Sequence, residues 1–441
     1  MSPVSDPILP AEYIQTLADG TVKQVNPFSG TQVWTVPGRA DRPLEIAPAQ
    51  VNPLVPTDLT TACAFCSDRY LQTPPEKDRS VLVGSAYERR FGLLPEEVTA
   101  TVAAFRRIPN LFEIMSVDYW QANYGYVLSP GADVRRQRYL ASPGGRDHLL
   151  AMIRRRLNHR AATMTEDELL EQAGDFFGSA HDVIVAQRHF RDGATTDDQL
   201  ASSGTLTPAE HREYLDLTTS AMVDLYEENR YIRYVAVFQN WLKPAGASFD
   251  HLHKQLVGVD EHGVQTDLEV AAVRRNPNVF NERAVNYAGY HNLVIAENDN
   301  AVALAGFGHR YPSLEVWSTS PTSEPWLMTA AERHDMSDLI HAMHAATGAI
   351  VPSNEEWHHK PPDVDVAMPW HVLLKWRVST LAGFEGGTKI YLNTIDPYTL
   401  RDRMVAALYR LRDAGAVADS VRIAKECACR PNSLRYNPNL R

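Results

Sequence analysis

Cysteine is scarce in this chain, with four in 441 residues, and nowhere do roughly 18 apolar residues run together, the length a membrane-crossing helix needs. So few thiols exclude a disulfide-stapled scaffold, and the lack of long apolar runs excludes membrane-spanning helices. The N-terminus, Met1-Ser2-Pro3-Val4-Ser5-Asp6-Pro7, carries neither the basic nor the apolar segment of a secretory signal, so a cytoplasmic location is expected. Positive charge is also in deficit. A net charge of -11 disfavours a protein that coats nucleic-acid backbones, because such binding needs a basic face to release counterions. Small anionic substrates stay compatible with it, and Arg154-Arg155-Arg156 reads as a solvated helix face. With 44% hydrophobic residues, 22% charged residues and no long low-complexity tract, the composition is that of a folded protein.

The length exceeds what one hydrophobic core usually serves, which points to two domains or one large domain with insertions. Short apolar alternations near the start, such as Gln32-Val33-Trp34-Thr35, suit strands and loops. Between residues about 120 and 178 the spacing of Leu149, Leu150, Ile153 and Leu157 predicts a mostly helical insertion. The β-branched run His181-Asp182-Val183-Ile184-Val185-Ala186 predicts a buried strand. Thr207-Pro208-Ala209-Glu210 then predicts a capped helix reaching about Arg230. Strands are expected from Tyr234 and through His251 to Gln255, and again at residues 292–296, 314–318, 371–378 and 388–393, with a helix at 329–346. Pairs of strands followed by helices imply an α+β class with an antiparallel sheet in each half, residues 1–275 and 276–441.

In an extended strand, residues two apart share a face, so His251, His253 and Gln255 form one row. A neutral imidazole can attack phosphorus when its other nitrogen is held by a carbonyl. Gly246-Ala247-Ser248 just upstream offers backbone N–H groups and a hydroxyl suited to phosphate oxygens, and Gln255 can donate to a transferring group. Cys63-Ala64-Phe65-Cys66 has chelate spacing suited to tetrahedral zinc, although a pair alone is equally compatible with redox or inert thiols. Cys427 and Cys429 read as structural or incidental, since a Cys-x-Cys pair does not by itself complete a zinc site.

Cys63 to Glu76, with Thr73-Pro74-Pro75-Glu76 closing the segment, resembles the zinc-knuckle opening of the galactose-1-phosphate uridylyltransferase family. Further motifs follow in that family's order. Arg107-Ile108-Pro109-Asn110 resembles its Asn-Lys-Tyr-Pro loop, His181-Asp182-Val183 its His-Glu-Val strand, and Asn240 through Ala245-Gly246-Ala247-Ser248 to His251-Leu252-His253-Lys254-Gln255 its active-site block. Later, Glu297-Asn298, Tyr311 to Trp317, Ala382 to Glu385 and Tyr391 to Pro397 are similar to its remaining segments, so the likeness covers most of residues 60–410.

The resemblance implies a fold of two histidine-triad-like halves and a nucleotidyltransferase that works by double displacement through His253. It implies structural zinc on Cys63, Cys66, His189 and His251. It also implies phosphate contacts from Asn240, Ser248, Gln255 and the Gly246 backbone, with Arg107 and Asn110 near the nucleotide. Some family members hold a second metal, for which Glu269, His358 and His371 fall at comparable places, while Pro369 stands where a fourth ligand is expected. The partners implied are a nucleotide sugar or similar donor and a phosphate-bearing acceptor, and a homodimer is compatible with the likeness. The alternatives on the same scaffold are a phosphorylase or hydrolase of nucleotide sugars or dinucleoside polyphosphates. A nucleotide-binding protein without turnover is the remaining one.

Overall fold

The computed structural model describes residues 12–38 and 51–440; the expectations for residues 1–11 and 39–50, including the N-terminal run, lie outside the described residues. Two compact units account for the chain. The first is Gln50–His262 with Pro361–Asp363, and the second is the remainder. This differs from a division at 275. Strands β1 (Ile14–Thr16), β2 (Val22–Val25) and β3 (Gln32–Thr35) go with the second unit, as does the helix Val264–Arg275. Strand pairing is the reason for the early strands, because β3 lies parallel to the late segment Ile390–Asn393, with Val33 opposite Tyr391.

The first unit contains β4 (Asp78–Val83), β5 (Ala86–Phe91), β6 (Phe105–Pro109), β7 (His181–Ala186), β8 (Tyr234–Trp241) and β9 (His253–Val259). They pair antiparallel in the order β8-β9-β7-β6-β4-β5. The run that forms β7 is buried along its whole length, as its β-branched composition requires. Alternation gives β9 two unlike faces. Lys254 points to one of them, its Nζ standing 4.8 Å over the ring of Tyr214 from the helix Pro208–Glu228, which covers that side. The helix begins where the sequence places it, with Thr207 and Glu210 closing a capping box. His253 and Gln255 point to the opposite face.

The insertion is helical as expected. After the helix Val117–Tyr124, helices Pro130–Ala141, Pro143–Leu157, Glu166–Glu171 and Gly174–Gly178 enclose a small core that includes Leu149, Ile153, Leu169 and Phe176. Arg154, Arg155 and Arg156 lie in the last turn of the helix Pro143–Leu157.

In the second unit, β10 (Val294–Glu297), β11 (Ala301–Ala305), β12 (Ser313–Ser318), β13 (Ser353–His358), β14 (His371–Trp376) and β16 (Arg422–Ile423) pair antiparallel in the order β16-β10-β11-β12-β14-β13, while β15 (Ile390–Asn393) completes a separate sheet with β1–β3. The sequence reading missed β13. Its Ser-Asn-Glu-Glu-Trp-His run looks polar, but Glu355 is buried because its carboxylate accepts from Trp357 Nε1 and pairs with His344 Nε2 at 2.7 Å. Glu315 on β12 repeats the arrangement with Trp317 and His309. Among the described residues no helix is long and apolar enough to cross a membrane.

Candidate functional site

The first unit gathers Cys63, Cys66, His189 and His251 so that their ligand atoms all lie within 4.8 Å of one another. Cys63 and Cys66 are joined by a turn in which Cys66 N–H donates to the Cys63 carbonyl. The sulfurs stand 3.9 Å apart; His251 Nδ1 lies 3.4 Å from the Cys63 sulfur and 3.8 Å from that of Cys66, and His189 Nδ1 lies 3.6 Å from the Cys66 sulfur. A tetrahedral zinc ion with ordinary bond lengths requires edges of about 3.8 Å between sulfurs and about 3.6 Å between sulfur and nitrogen, so the donor set fits that ion. His251 donates Nε2–H to the Ala186 carbonyl at 2.7 Å, which leaves its Nδ1 lone pair facing the thiols. The hydrogen bond between the two thiols lowers the Cys66 pKa and raises that of Cys63, so the close pair shares one proton between its sulfurs.

The chain bends at His251, and β9 begins only at His253, so the two histidines are not one strand row as the sequence suggested. The bend has a chemical effect. His253 Nδ1 donates to the His251 carbonyl at 2.7 Å, which leaves the lone pair on Nε2. Burial lowers the His253 pKa to about 4, so the ring is neutral near pH 7. The ring of Phe65, from between the two cysteines, lies 5.4 Å from that of His253. Val185 is the partner of His253 across β7 and Val183 that of Gln255, with Ile108 of β6 next to Val183. This apolar floor excludes water from one side of the two polar groups.

Phe238 pairs with Gln255, and continuing that register by two residues sets Asn240 across from His253. Gly246 turns the chain back at φ +90, and a Cβ there would stand 3.9 Å from Asn240 Nδ2. Ser248 is exposed in the same loop. Asn240, Gly246 and the His253 strand are thus neighbours.

Arg107 is different. The segment that resembles a loop is strand β6, and Arg107 is buried with its guanidinium held by Asp182, Asp78 and Asp224. Those acids leave it no open edge for a ligand. Asn110 follows β6 and stands 3.1 Å from His181 Nε2. His181 in turn lies 3.1 Å from Gln255 Oε1, a contact that sequence reasoning missed although it identified the strand. Only strand pairing puts residues so distant in sequence side by side.

In the second unit Glu269, His358 and His371 form another cluster whose ligand atoms lie within 4.8 Å. It opens on a cavity of about 400 Å³ also lined by Arg283, Arg310 and Lys375. His371 is stacked between Trp317 at 3.9 Å and His358 at 4.8 Å, its cross-strand partners on β12 and β13. Burial raises Glu269 to about 7 and lowers His358 to about 3, and His358 Nε2 is buried without a hydrogen-bond partner. An orphaned nitrogen beside a buried carboxyl fits a cation-binding role. Cys427 and Cys429 lie outside both clusters; the N–H groups of Ala428 and Cys429 donate to Glu297.

The fold resembles those of two solved plant proteins. An ADP-glucose phosphorylase from Arabidopsis thaliana, solved with ADP-glucose bound, is 18% identical over 87% of this chain and 97% of its own, with a TM-score of 0.55. A GalT-like protein from the same plant is 17% identical over 87% and 98%, with a TM-score of 0.53. None of the curated proteins matches the sequence. The family model described as a domain of unknown function, DUF4921, matches residues 17–436, and the chain belongs to that family.

Proposed function

We propose that the protein is a nucleotidyltransferase that moves a nucleoside monophosphate from a nucleotide sugar or similar donor to a phosphate-bearing acceptor through His253. The observation that carries this reading is the His253 Nδ1–H bond to the His251 carbonyl, which leaves a neutral Nε2 lone pair beside Gln255 on an apolar floor. In the first step Nε2 attacks the α-phosphorus, a P–N bond forms, and the P–O bond to the leaving phosphate breaks. In the second step an acceptor phosphate oxygen attacks the same phosphorus, and the P–N pair returns to Nε2. Asn240, Ser248, the Gly246 backbone and Asn110 are the groups assigned to the donor, while Gln255 donates to the phosphoryl oxygens as charge shifts among them. Arg107 supports them from below by fixing Asp182 and the strands.

Zinc on Cys63, Cys66, His189 and His251 has four protein ligands and no open position, so its contribution is structural. A second ion on Glu269, His358 and His371 is part of the same proposal. Likeness to the phosphorylase fold favours inorganic phosphate as one acceptor to be tested.

The test is to incubate the protein with ADP-glucose, UDP-glucose and dinucleoside polyphosphates and read intact mass, with His253→Ala as control. Exchange into phosphate or sugar phosphate is followed in parallel. A mass increase of one nucleoside monophosphate that is absent in H253A is expected. Binding without adduct and without exchange in every case sinks the reading, and metal content per chain tests the two clusters.

A further inference from the structure

His181 is buried on β7, diagonal to Gln255 across the pairing with β9. Its backbone is pinned: Asn110 N–H donates to the His181 carbonyl at 2.7 Å, and Ser179 Oγ bridges the His181 N–H and carbonyl. The ring has two nitrogens with unlike neighbours. Ile114 N–H, a backbone donor that cannot rotate, points at Nδ1 from 3.2 Å. A neutral imidazole that accepts there carries its proton on Nε2, and that nitrogen stands 3.1 Å from Gln255 Oε1. Asn110 Nδ2 is also 3.1 Å from Nε2, but Asn110 Oδ1 is occupied by Phe112 N–H, so Asn110 offers no acceptor, makes no hydrogen bond to a protonated Nε2, and leaves Gln255 Oε1 as the acceptor beside it.

We propose that His181 is a positioning residue that fixes which way the Gln255 amide faces. Its Nε2–H donates to Gln255 Oε1, so the Gln255 NH2 group is turned away from β7, toward the phosphoryl group carried by His253. The opposite amide orientation would present a carbonyl oxygen to phosphate oxygens and repel them. The backbone of the loop after β6 thereby sets the tautomer of His181, and the tautomer sets the glutamine. The inference rests on the nucleotidyl-His253 reading.

Its test uses the full chain with ADP-glucose or whichever donor forms the adduct. His181→Phe keeps a flat ring and removes the donor, whereas His181→Gln replaces it, since a glutamine amide reaches about as far as Nε2. H181F is expected to slow adduct formation about 10²-fold with donor affinity little changed, H181Q to recover most of that, and H181F/Q255A to be no slower than Q255A. Long-range 15N spectra of the histidine rings, assigned by loss of one signal in H181F or H181Q, should show His181 protonated on Nε2. A proton on Nδ1, an unaltered rate in H181F, or penalties that multiply in the double variant overturn the inference while leaving the function standing. If the unaltered protein forms no adduct at all, both fall together. If H181F does not fold, H181Q and the spectra still decide.

Discussion

His253 and His371 occupy corresponding strand positions in the two units. Each opens a strand, and each points Nδ1 at the carbonyl two residues earlier, at 2.7 Å to His251 and at 3.4 Å to Pro369. Their surroundings then diverge. Two residues on from His253 comes Gln255, whereas two residues on from His371 comes Leu373. The residue two before is a histidine that faces two thiols in one case and a proline in the other. His371 is also stacked against a tryptophan and a second histidine. The strand that presents an imidazole is common to both units. Among the described residues, Gln255 and the cluster Cys63, Cys66, His189 and His251 accompany the histidine of the first unit, so the two rings differ in their neighbours and not in how the strand presents them.

The sharpest way to break this comparison is to remove each ring. H253A should abolish the covalent adduct and slow exchange at least about 10³-fold, while His371→Ala should leave both within a few-fold when rates are compared at equal folded fraction. An H371A enzyme that folds as well as the unaltered protein yet is inactive would place chemistry in the second unit.

Next in size is the metal. Cys66→Ala should cost about one zinc per chain by elemental analysis and destabilise the first unit by about 3 kcal/mol, read from chemical denaturation. Glu269→Gln should change only the metal retained by the second unit. Gly246→Ala is smaller, about 1–2 kcal/mol of strain at a left-handed backbone position, expected as roughly tenfold slower adduct formation with zinc content unchanged.

The smallest effect concerns Glu113 in the first unit. Burial raises its pKa to about 7, and its Oε1 is enclosed without a hydrogen-bond partner. Between its ordinary carboxyl value and about 7 the folded chain holds a proton that the unfolded chain has released, so this group makes stability fall as pH rises through that window. Glu113→Gln should therefore be more stable than the unaltered protein above pH about 7, on the order of 1 kcal/mol, and equal to it near pH 4. Denaturation midpoints at the two pH values check the sign.

The sequence discloses the residue types of the site better than their geometry. Cys63, Cys66, His189 and His251 are brought together, and the capped helix from Pro208 begins as its Thr-Pro-x-Glu start implies. Two misreadings and one omission share a cause. The row His251-His253-Gln255 assumed a continuous strand, yet the bend at His251 is what turns its ring back toward Ala186. Arg107 was read as a loop residue near the nucleotide, but it lies on a strand with three acids from distant segments around it. His181 looked like one more strand residue because its partner is 74 positions away. In each case the deciding neighbour comes from tertiary pairing, which local spacing does not encode.

One residue ties the Cys63, Cys66, His189 and His251 cluster to the proposed nucleophile: the ring of His251 faces the thiols while its carbonyl holds the proton of His253. His-Leu-His-Lys-Gln is consequently not a portable part. Moved to another strand without its cysteine pair, it would keep every letter of the motif and lose the anchor that selects one ring nitrogen of His253, so a transplant must carry the turn at residues 63–66 along with the pentapeptide.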